Sequence, residues 1–174
     1  MTGPLAGIVL GSASDLEIGK KAAEVFEYLD IPFEITVASA HRTPDDAANY
    51  SRNARSRGLK VIIAIPGLSA ALPGVLAAHT TLPVIGIPVA GNTLGGLDAL
   101  LSVVQMPPGV PVGSMGIGGG RNAALFAARI IALSDEKVHE SLWNDTAESR
   151  RKVVESRAGI TNLPLAPESS FEAG

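Results

Sequence analysis

The sequence predicts an α/β fold in which a mostly parallel sheet is covered by helices on both faces. Short apolar runs recur along the chain, and a more helical stretch follows each of them. These runs are residues 7–10, 33–38, 61–65, 83–89 and 112–117. The composition agrees: Gly, Ala, Val, Ile and Leu are abundant and aromatic residues are only 4%, which suits helices packed closely on a buried sheet.

The length and the hydrophobic content predict one domain. A chain of 174 residues that is 46% hydrophobic can bury one sizeable core and is short for two. No internal repeat and no linker divides it. We therefore predict a single domain over residues 1–158, which includes a C-terminal helix at 135–158, followed by a tail at 159–174. The tail contains Pro and Ser without periodicity, so we expect it to be poorly ordered.

Helix starts can be placed by their capping signals. Between the first two strands, apolar residues recur at helical spacing: Ile18, Ala22, Val25, Phe26 and Leu29. Ser14 and Glu17 have the spacing of a capping box at the start of this helix. Thr43 is predicted to cap the second helix, with Pro44 at its first position. The segment 121–133 is apolar around most of its circumference, so it should be buried on more than one side.

The C-terminal helix has an unusually thin apolar stripe. Residues 135–158 are strongly polar, and their apolar positions are Val138, Leu142, Val153 and Val154. We therefore expect this helix to dock on another subunit or on the edge of the domain.

Charge, cysteine content and hydropathy exclude several classes of protein. The net charge is −3 and the first cluster of basic residues is 150–152, so a nucleic-acid partner is not expected. The chain has no cysteine, hence no disulfide and no thiolate nucleophile. Residues 1–15 resemble no signal peptide, and Pro and Gly interrupt each apolar run well before the roughly 20 residues of a membrane-spanning helix. We expect a cytoplasmic protein with no membrane partner.

The ends of three predicted strands carry polar residues. Parallel sheets of this class bind ligands at the carboxyl ends of their strands. The segments 10–15, 39–44 and 66–74 follow the first, second and third strands. We therefore expect all three to lie at the same edge of the sheet.

The first strand end has the residues of a small anion site. Gly11, Ser12, Ser14 and Asp15 stand at a helix start, where free backbone N–H groups and the helix dipole favour an anion such as phosphate. Asp15 adds an acceptor for ribose hydroxyls. The segment lacks a Walker lysine and a G-x-G-x-x-G spacing. The alternative is structural: Ser14 is only a cap, and Asp15 only complements the dipole.

The second strand end places a histidine beside an arginine. Histidine is the side chain whose unperturbed pKa lies near neutrality, and arginine presents a fork that matches phosphate. His41 and Arg42 together therefore indicate proton transfer next to an anion. The alternative is that both are polar residues facing water at a strand end.

The third strand end and the other two histidines are less informative. Small residues and the Ser69 hydroxyl in 66–74 would let a flat ring lie close to the backbone, although a tight turn explains them equally. His79 follows the next helix, where a capping role competes with catalysis. His139 is expected to face solvent, and Trp143 to serve packing. No histidine belongs to a metal-ligand cluster.

Taken together, several motifs closely resemble the family of aminoimidazole ribonucleotide carboxylases and mutases of purine biosynthesis. The segments are GSASD, SAHRTP, GLSAALPG, LPVIGIPV, GLDALLSVVQMPPGVPV and NAALFAARIIAL, and the resemblance spans roughly residues 6–134. It implies a flavodoxin-like three-layer sandwich with a C-terminal helical extension. It also implies a homo-octamer in which the C-terminal helix reaches onto a neighbouring subunit.

The resemblance also implies a reaction and a set of site residues. The family either moves a carboxylate from the exocyclic amine of the imidazole ribonucleotide to a ring carbon, or attaches free carbon dioxide to that carbon. His41 would be the catalytic acid and base. The phosphate would be held by Ser12, Ser14 and Arg42, the ribose by Asp15, and the ring by Ser39, Ala40 and the loop of Gly67, Ser69, Ala71 and Leu72. No metal or other cofactor is implied.

The third loop departs from the mutase pattern. Ala71 stands where mutases of the family have a second histidine, and Ser69 stands where they have alanine. Ser69 is typical of the direct carboxylases, whereas Arg42 and Pro73 are typical of the mutases. More of the sequence favours the mutase, which is our prediction, with the direct carboxylase as the alternative. Two other hypotheses remain: a flavin- or nucleotide-binding regulatory module, and a purely structural oligomer.

Overall fold

A parallel sheet forms the centre of the computed structural model, which describes residues 3–67, 69–91 and 94–172. Within these residues the strands are β1 (Ala6–Leu10), β2 (Phe33–Val37), β3 (Val61–Ile65), β4 (Val84–Gly86) and β5 (Gly113–Ser114). All are parallel and their order is β2-β1-β3-β4-β5. This is the flavodoxin-like order, so the predicted fold class is confirmed.

In the part of the chain that the structure describes, four helices connect successive strands, and two more follow the last strand. They are α1 (Leu16–Tyr28), α2 (Pro44–Ala54), α3 (Leu72–Ala77), α4 (Leu97–Val104), α5 (Gly120–Ala132) and α6 (Glu136–Ser156). Short 3₁₀ turns occur at Ala13–Asp15, Arg55–Arg57, Arg157–Gly159 and Glu168–Phe171. Strands β4 and β5 are shorter than the apolar runs that predicted them. Beyond β4, Pro88 has no N–H to donate to a ladder.

Alternate residues of the central strands face two separate cores. Ile8 and Ile63 belong to the cluster shared with α1 and α5, whereas Val9 and Ile62 belong to the cluster shared with α2 and α3. Strands β1 and β3 are buried along their whole length because helices cover both faces. This burial explains why their sequences are continuous apolar runs.

Close packing between α4 and the sheet depends on a glycine. A Cβ at Gly86 of β4 would lie 2.5 Å from Val103 Cγ1 and 3.1 Å from Pro73 Cγ. Val103 and Pro73 therefore occupy the space of a side chain above β4. The carboxyl end of the sheet is held tightly at this point.

The capping box predicted for α1 is wrong. The helix begins at Leu16, and Asp15 occupies the N-cap position without making a side-chain cap bond. Ser14 lies in the preceding 3₁₀ turn, where its backbone N–H donates to Ser12 Oγ at 3.4 Å. The tighter turn replaces the first helical turn, so Ser14 and Glu17 are out of capping register. Thr43 and Pro44 occupy the N-cap and first positions of α2 as predicted, but the Thr43 side chain makes no capping hydrogen bond.

The C-terminal helix α6 contacts the core through its first half, and further along Tyr28 Oη of α1 donates to Glu148 at 3.5 Å. Val138 is buried in the core with α5, and Arg121 of α5 pairs with Asp145 at 3.4 Å. Trp143 is 71% exposed and Val153 is 65% exposed. Docking of this face on another subunit stays a prediction, as does the division at residue 158. The tail is exposed as far as residue 172, and residues 173–174 lie outside the described residues.

The fold offers no candidate for a membrane span in its described part. None of the helices within residues 3–67, 69–91 and 94–172 combines the length and the hydropathy that crossing a bilayer requires.

Candidate active site

The carboxyl ends of β1, β2 and β3 meet at one pocket of about 330 Å³. The residues that line it are Gly11, Ser12, Ser14, Ser39, Ala40, His41, Arg42, Pro66, Gly67, Ala71 and Leu72. The prediction that the three polar strand ends share one edge of the sheet is therefore confirmed. All the predicted site residues line this pocket except Asp15 and Ser69.

The lining includes Gly11, which was predicted as part of the anion site, and Pro66, which was not among the predicted site residues. Pro66 is the first residue after β3, and that position is the signal that could have identified it. The Gly11 N–H donates to the Ile65 carbonyl at 2.8 Å. A Cβ on Gly11 would lie 3.2 Å from the Gly67 nitrogen. The small residue lets the first and third loops converge at the base of the pocket.

Asp15 lies behind the pocket wall. Its side chain is only 3% exposed, and a Cβ on Gly67 would be 3.6 Å from its Oδ2. The Ser14 hydroxyl donates to Oδ1 at 3.3 Å, whereas Oδ2 has no hydrogen-bond partner among the described residues. Burial raises the pKa of the Asp15 carboxyl, and the bond from Ser14 offsets this in part. An unpaired buried acceptor of this kind is typical of functional sites.

Ser69 does not line the pocket. It is exposed and has a φ of 55°, a left-handed conformation that is uncommon for a residue other than glycine. Its carbonyl accepts a hydrogen bond from the Ala71 N–H. The placement of Ser69 in the ring-binding set stays a prediction. Leu68, part of the same predicted loop, lies outside the described residues.

The loop between β2 and α2 holds His41 and Arg42 at the pocket. Ser39 Oγ accepts from the backbone N–H of Arg42 at 3.2 Å and from that of His41 at 3.4 Å. The Arg42 Nη2 donates to the Gly11 carbonyl at 3.5 Å, so the guanidinium spans the space between the first and second loops. Both side chains are exposed. A ligand in the pocket can therefore reach both of them.

The arrangement can bind an anion and move a proton. Arg42 contributes a permanent positive charge, and the hydroxyls of Ser12 and Ser14 face it from the first loop. Hydroxyl and guanidinium donors are the groups that hold phosphate. The His41 imidazole lines the same pocket, and an imidazole both accepts and donates a proton near neutral pH.

The other histidines lie elsewhere. His79 Nδ1 is 2.8 Å from the Val75 carbonyl, and the residue does not line the pocket. His79 therefore caps the end of α3, in agreement with the structural alternative, and places no second imidazole in the pocket. His139 is exposed on α6 as predicted. In the described ranges no three or more His, Asp or Glu side chains cluster in a way that could hold a metal ion.

Comparisons with known proteins agree on one family. The model of the AIR carboxylase family matches residues 5–152. The N5-carboxyaminoimidazole ribonucleotide mutase of Pyrococcus horikoshii is 48% identical over 160 residues, which cover 92% of this chain and 90% of that protein. The enzyme of the same name from Bacillus subtilis is 50% identical over 155 residues, covering 88% of this chain and 96% of that protein.

A yeast enzyme and a solved structure extend the comparison. The phosphoribosylaminoimidazole carboxylase of Schizosaccharomyces pombe is 54% identical over 129 residues, covering 74% of this chain and 23% of that protein. The crystal structure of Treponema denticola PurE superposes with a TM-score of 0.83 at 27% identity, covering 91% of this chain and 99% of the other. The fold, the pocket and these relatives agree, and the chain belongs to the AIR carboxylase family.

Proposed function

We propose that this protein is an N5-carboxyaminoimidazole ribonucleotide mutase of purine biosynthesis. It moves a carboxylate from the exocyclic amine of the imidazole ribonucleotide to a ring carbon. The observation that carries the proposal is that His41 and Arg42 line one pocket. The chain that contains this pocket is 48–50% identical to two mutases, over about nine-tenths of its length.

Separate groups of residues at the site suit the phosphate, the ribose and the ring of a ribonucleotide. Arg42 and the Ser12 hydroxyl bind the phosphate, and the Ser14 hydroxyl joins them by turning its proton from Asp15 to the phosphate. The Asp15 Oδ2, which has no partner among the described residues, accepts hydrogen bonds from the ribose hydroxyls when the loop at Gly67 moves aside. The imidazole ring of the substrate lies against small and apolar groups that line the same pocket: Ala40, Gly67, Ala71 and Leu72.

His41 supplies the proton transfers. Protonation of the carbamate nitrogen breaks the N–C bond and releases carbon dioxide, leaving the free amine. The ring carbon then attacks carbon dioxide, and a proton must leave that carbon to restore the aromatic ring. One imidazole can donate the first proton and accept the second, so it ends the cycle in the protonation state in which it began. Carbon dioxide remains beside Ala71 and Leu72 between the two steps.

A second candidate, the direct carboxylase, is favoured by a specific observation. The Schizosaccharomyces pombe relative has the name of a carboxylase, and in this chain Ala71 lines the pocket with a methyl group. Such an enzyme would use the same pocket and the same proton acceptor. It would take carbon dioxide from solution instead of from a carbamate.

A single-turnover absorbance assay distinguishes the two reactions. One arm offers the carbamate nucleotide, and the other offers aminoimidazole ribonucleotide with bicarbonate and carbonic anhydrase. Rapid product from the carbamate alone is the result we expect. Product only from the free nucleotide at modest bicarbonate would identify a carboxylase, and product from neither would refute both.

We further propose that the protein acts as a homo-octamer in the cytoplasm, in which α6 packs on a neighbouring subunit. Support comes from the exposed apolar side chains of α6, since Trp143 is 71% exposed and Val153 is 65% exposed in the single chain. Sedimentation equilibrium tests the subunit count. A mass of one subunit at micromolar concentration would contradict this assembly.

A further inference from the structure

The side chain of Thr43 points away from the helix that it precedes. At the N-cap position a threonine hydroxyl ordinarily accepts a hydrogen bond from an N–H of the first helical turn. Thr43 occupies the N-cap position of α2 and makes no such bond. Its Oγ1 instead accepts from the backbone N–H of Ser39 at 2.9 Å.

Thr43 and Ser39 close the intervening loop from both ends. The Thr43 hydroxyl donates to the Ser39 carbonyl at 3.4 Å, and the Thr43 N–H donates to the same carbonyl at 3.0 Å. From the other end, Ser39 Oγ accepts the N–H groups of His41 and Arg42. One hydroxyl has a donor and two lone pairs, so Thr43 can make both of its bonds at once.

The backbone of this loop is what determines where the His41 ring lies. The ring makes no hydrogen bond to another group within residues 3–67, 69–91 and 94–172, and the side chain is exposed. Within these residues no hydrogen bond from another side chain therefore fixes the imidazole. The conformation of the main chain at 39–43 sets where the His41 Cα and Cβ lie, and so which positions the ring can reach.

We propose that the Thr43 hydroxyl is a positioning group for His41, acting through Ser39 rather than through the helix. This inference rests on the proposed function, because it assumes that His41 moves the proton. The hydroxyl keeps Ser39 in the orientation that receives the His41 and Arg42 amides. Without it, the loop samples other conformations and the imidazole is misplaced relative to the ring carbon. A misplacement of about 1 Å can lower a rate about a hundredfold.

Ser51 offers a matched control on the same helix. Its hydroxyl is fully buried and donates to the Leu76 carbonyl at 2.7 Å, so it joins α2 to α3. It does not contact the loop at 39–43. Its loss should affect stability and leave the imidazole in place, which is what a purely structural hydroxyl on α2 would do.

The experiment compares Thr43→Val, Thr43→Ser and Ser51→Ala in steady-state kinetics with the carbamate nucleotide. For Thr43→Val we expect kcat to fall about 10- to 100-fold with KM changed less than about threefold. Thr43→Ser should recover most of kcat, and Ser51→Ala should lower the urea midpoint without changing kcat. A kcat of Thr43→Val within about twofold of the parent protein, or no recovery in Thr43→Ser, would overturn the proposal. If Thr43→Val does not fold, Thr43→Ala takes its place with the same expected outcomes.

A proton NMR measurement makes this test independent of the proposed function. The C2–H resonance of His41 is assigned by its loss in His41→Asn. It should be shifted or broadened in Thr43→Val and unchanged in Thr43→Ser and Ser51→Ala. An unchanged resonance in Thr43→Val refutes the positioning role even where the parent enzyme is active. If the parent protein converts neither nucleotide, the proposed function fails, and the resonance still determines whether Thr43 positions the ring.

Discussion

Replacement of Asp15 by asparagine should make the free protein more stable at neutral pH. The carboxyl is 3% exposed, and its Oδ2 has no hydrogen-bond partner among the described residues. A buried polar group left unsatisfied costs about 1–3 kcal/mol, and more when it is charged. Asparagine removes the charge but keeps polar atoms at the site. We therefore expect Asp15→Asn to raise the free energy of unfolding by about 1–2 kcal/mol at pH 7.

The gain should depend on pH in a defined direction. Burial raises the pKa of the Asp15 carboxyl above its ordinary value of 3.8. Between the ordinary and the raised pKa the folded state binds more protons than the unfolded state, so the stability of the parent protein falls as pH rises. Asp15→Asn has no such titration. The difference in unfolding free energy between Asp15→Asn and the parent protein should be small below pH 3.8, grow as pH rises toward the raised pKa, and level off above it.

Urea unfolding of both proteins, followed by circular dichroism across this pH range, measures the difference. Only the difference between the two curves counts, because other groups titrate equally in both. Calorimetry with the nucleotide at pH 7 should show weaker binding to Asp15→Asn, since the proposed ribose contact requires the carboxylate. A variant less stable than the parent at pH 7, or a gain that does not vary with pH, would refute the reasoning.

Four other changes test the site and the packing around it. His41→Asn should abolish turnover while calorimetry still detects the nucleotide; loss of binding together with turnover would count against an acid–base role. Arg42→Ala should weaken nucleotide binding by about 1.5–3 kcal/mol, or about 10- to 150-fold in Kd, and an unchanged Kd would remove Arg42 from the phosphate site. Gly86→Ala should destabilise by about 1–3 kcal/mol in urea unfolding, because its Cβ would lie 2.5 Å from Val103 Cγ1. Tyr50→Phe should leave the unfolding free energy within about 1 kcal/mol of the parent protein, because the buried hydroxyl has no partner at hydrogen-bond distance among the described residues, although Glu34 lies near enough to help raise its pKa; a clear loss of stability would indicate a bond to Glu34.

The strands and the edge that carries the site follow from local patterns. The run 61–65 is apolar at every position, as a strand covered on both faces must be, and it forms β3 with the same bounds. Because the strands are parallel, the polar residues after β1, β2 and β3 have to meet at one edge. Pro66 could have been included by the same rule as Gly11, since each directly follows a strand.

The bounds of short elements were harder to predict. The apolar run 83–89 is seven residues long in the sequence, whereas β4 covers only Val84–Gly86. Hydrophobicity indicates burial, and residues beyond the end of a strand can be buried without pairing with a neighbouring strand. Pairing depends on the neighbouring strand, which the local sequence does not contain.

The sequence by itself determined which residues follow the strands, and therefore that Ser12, His41 and Arg42 share one pocket. Tertiary structure alone decided how each side chain is used there. Asp15 is buried beside the loop at Gly67, and Ser69 has a left-handed backbone conformation and does not line the pocket. The hydroxyl of Thr43 bonds to Ser39 instead of capping α2. Periodicity and strand ends are encoded within a few neighbouring residues, whereas burial and hydrogen-bond partners depend on groups brought together from distant parts of the chain.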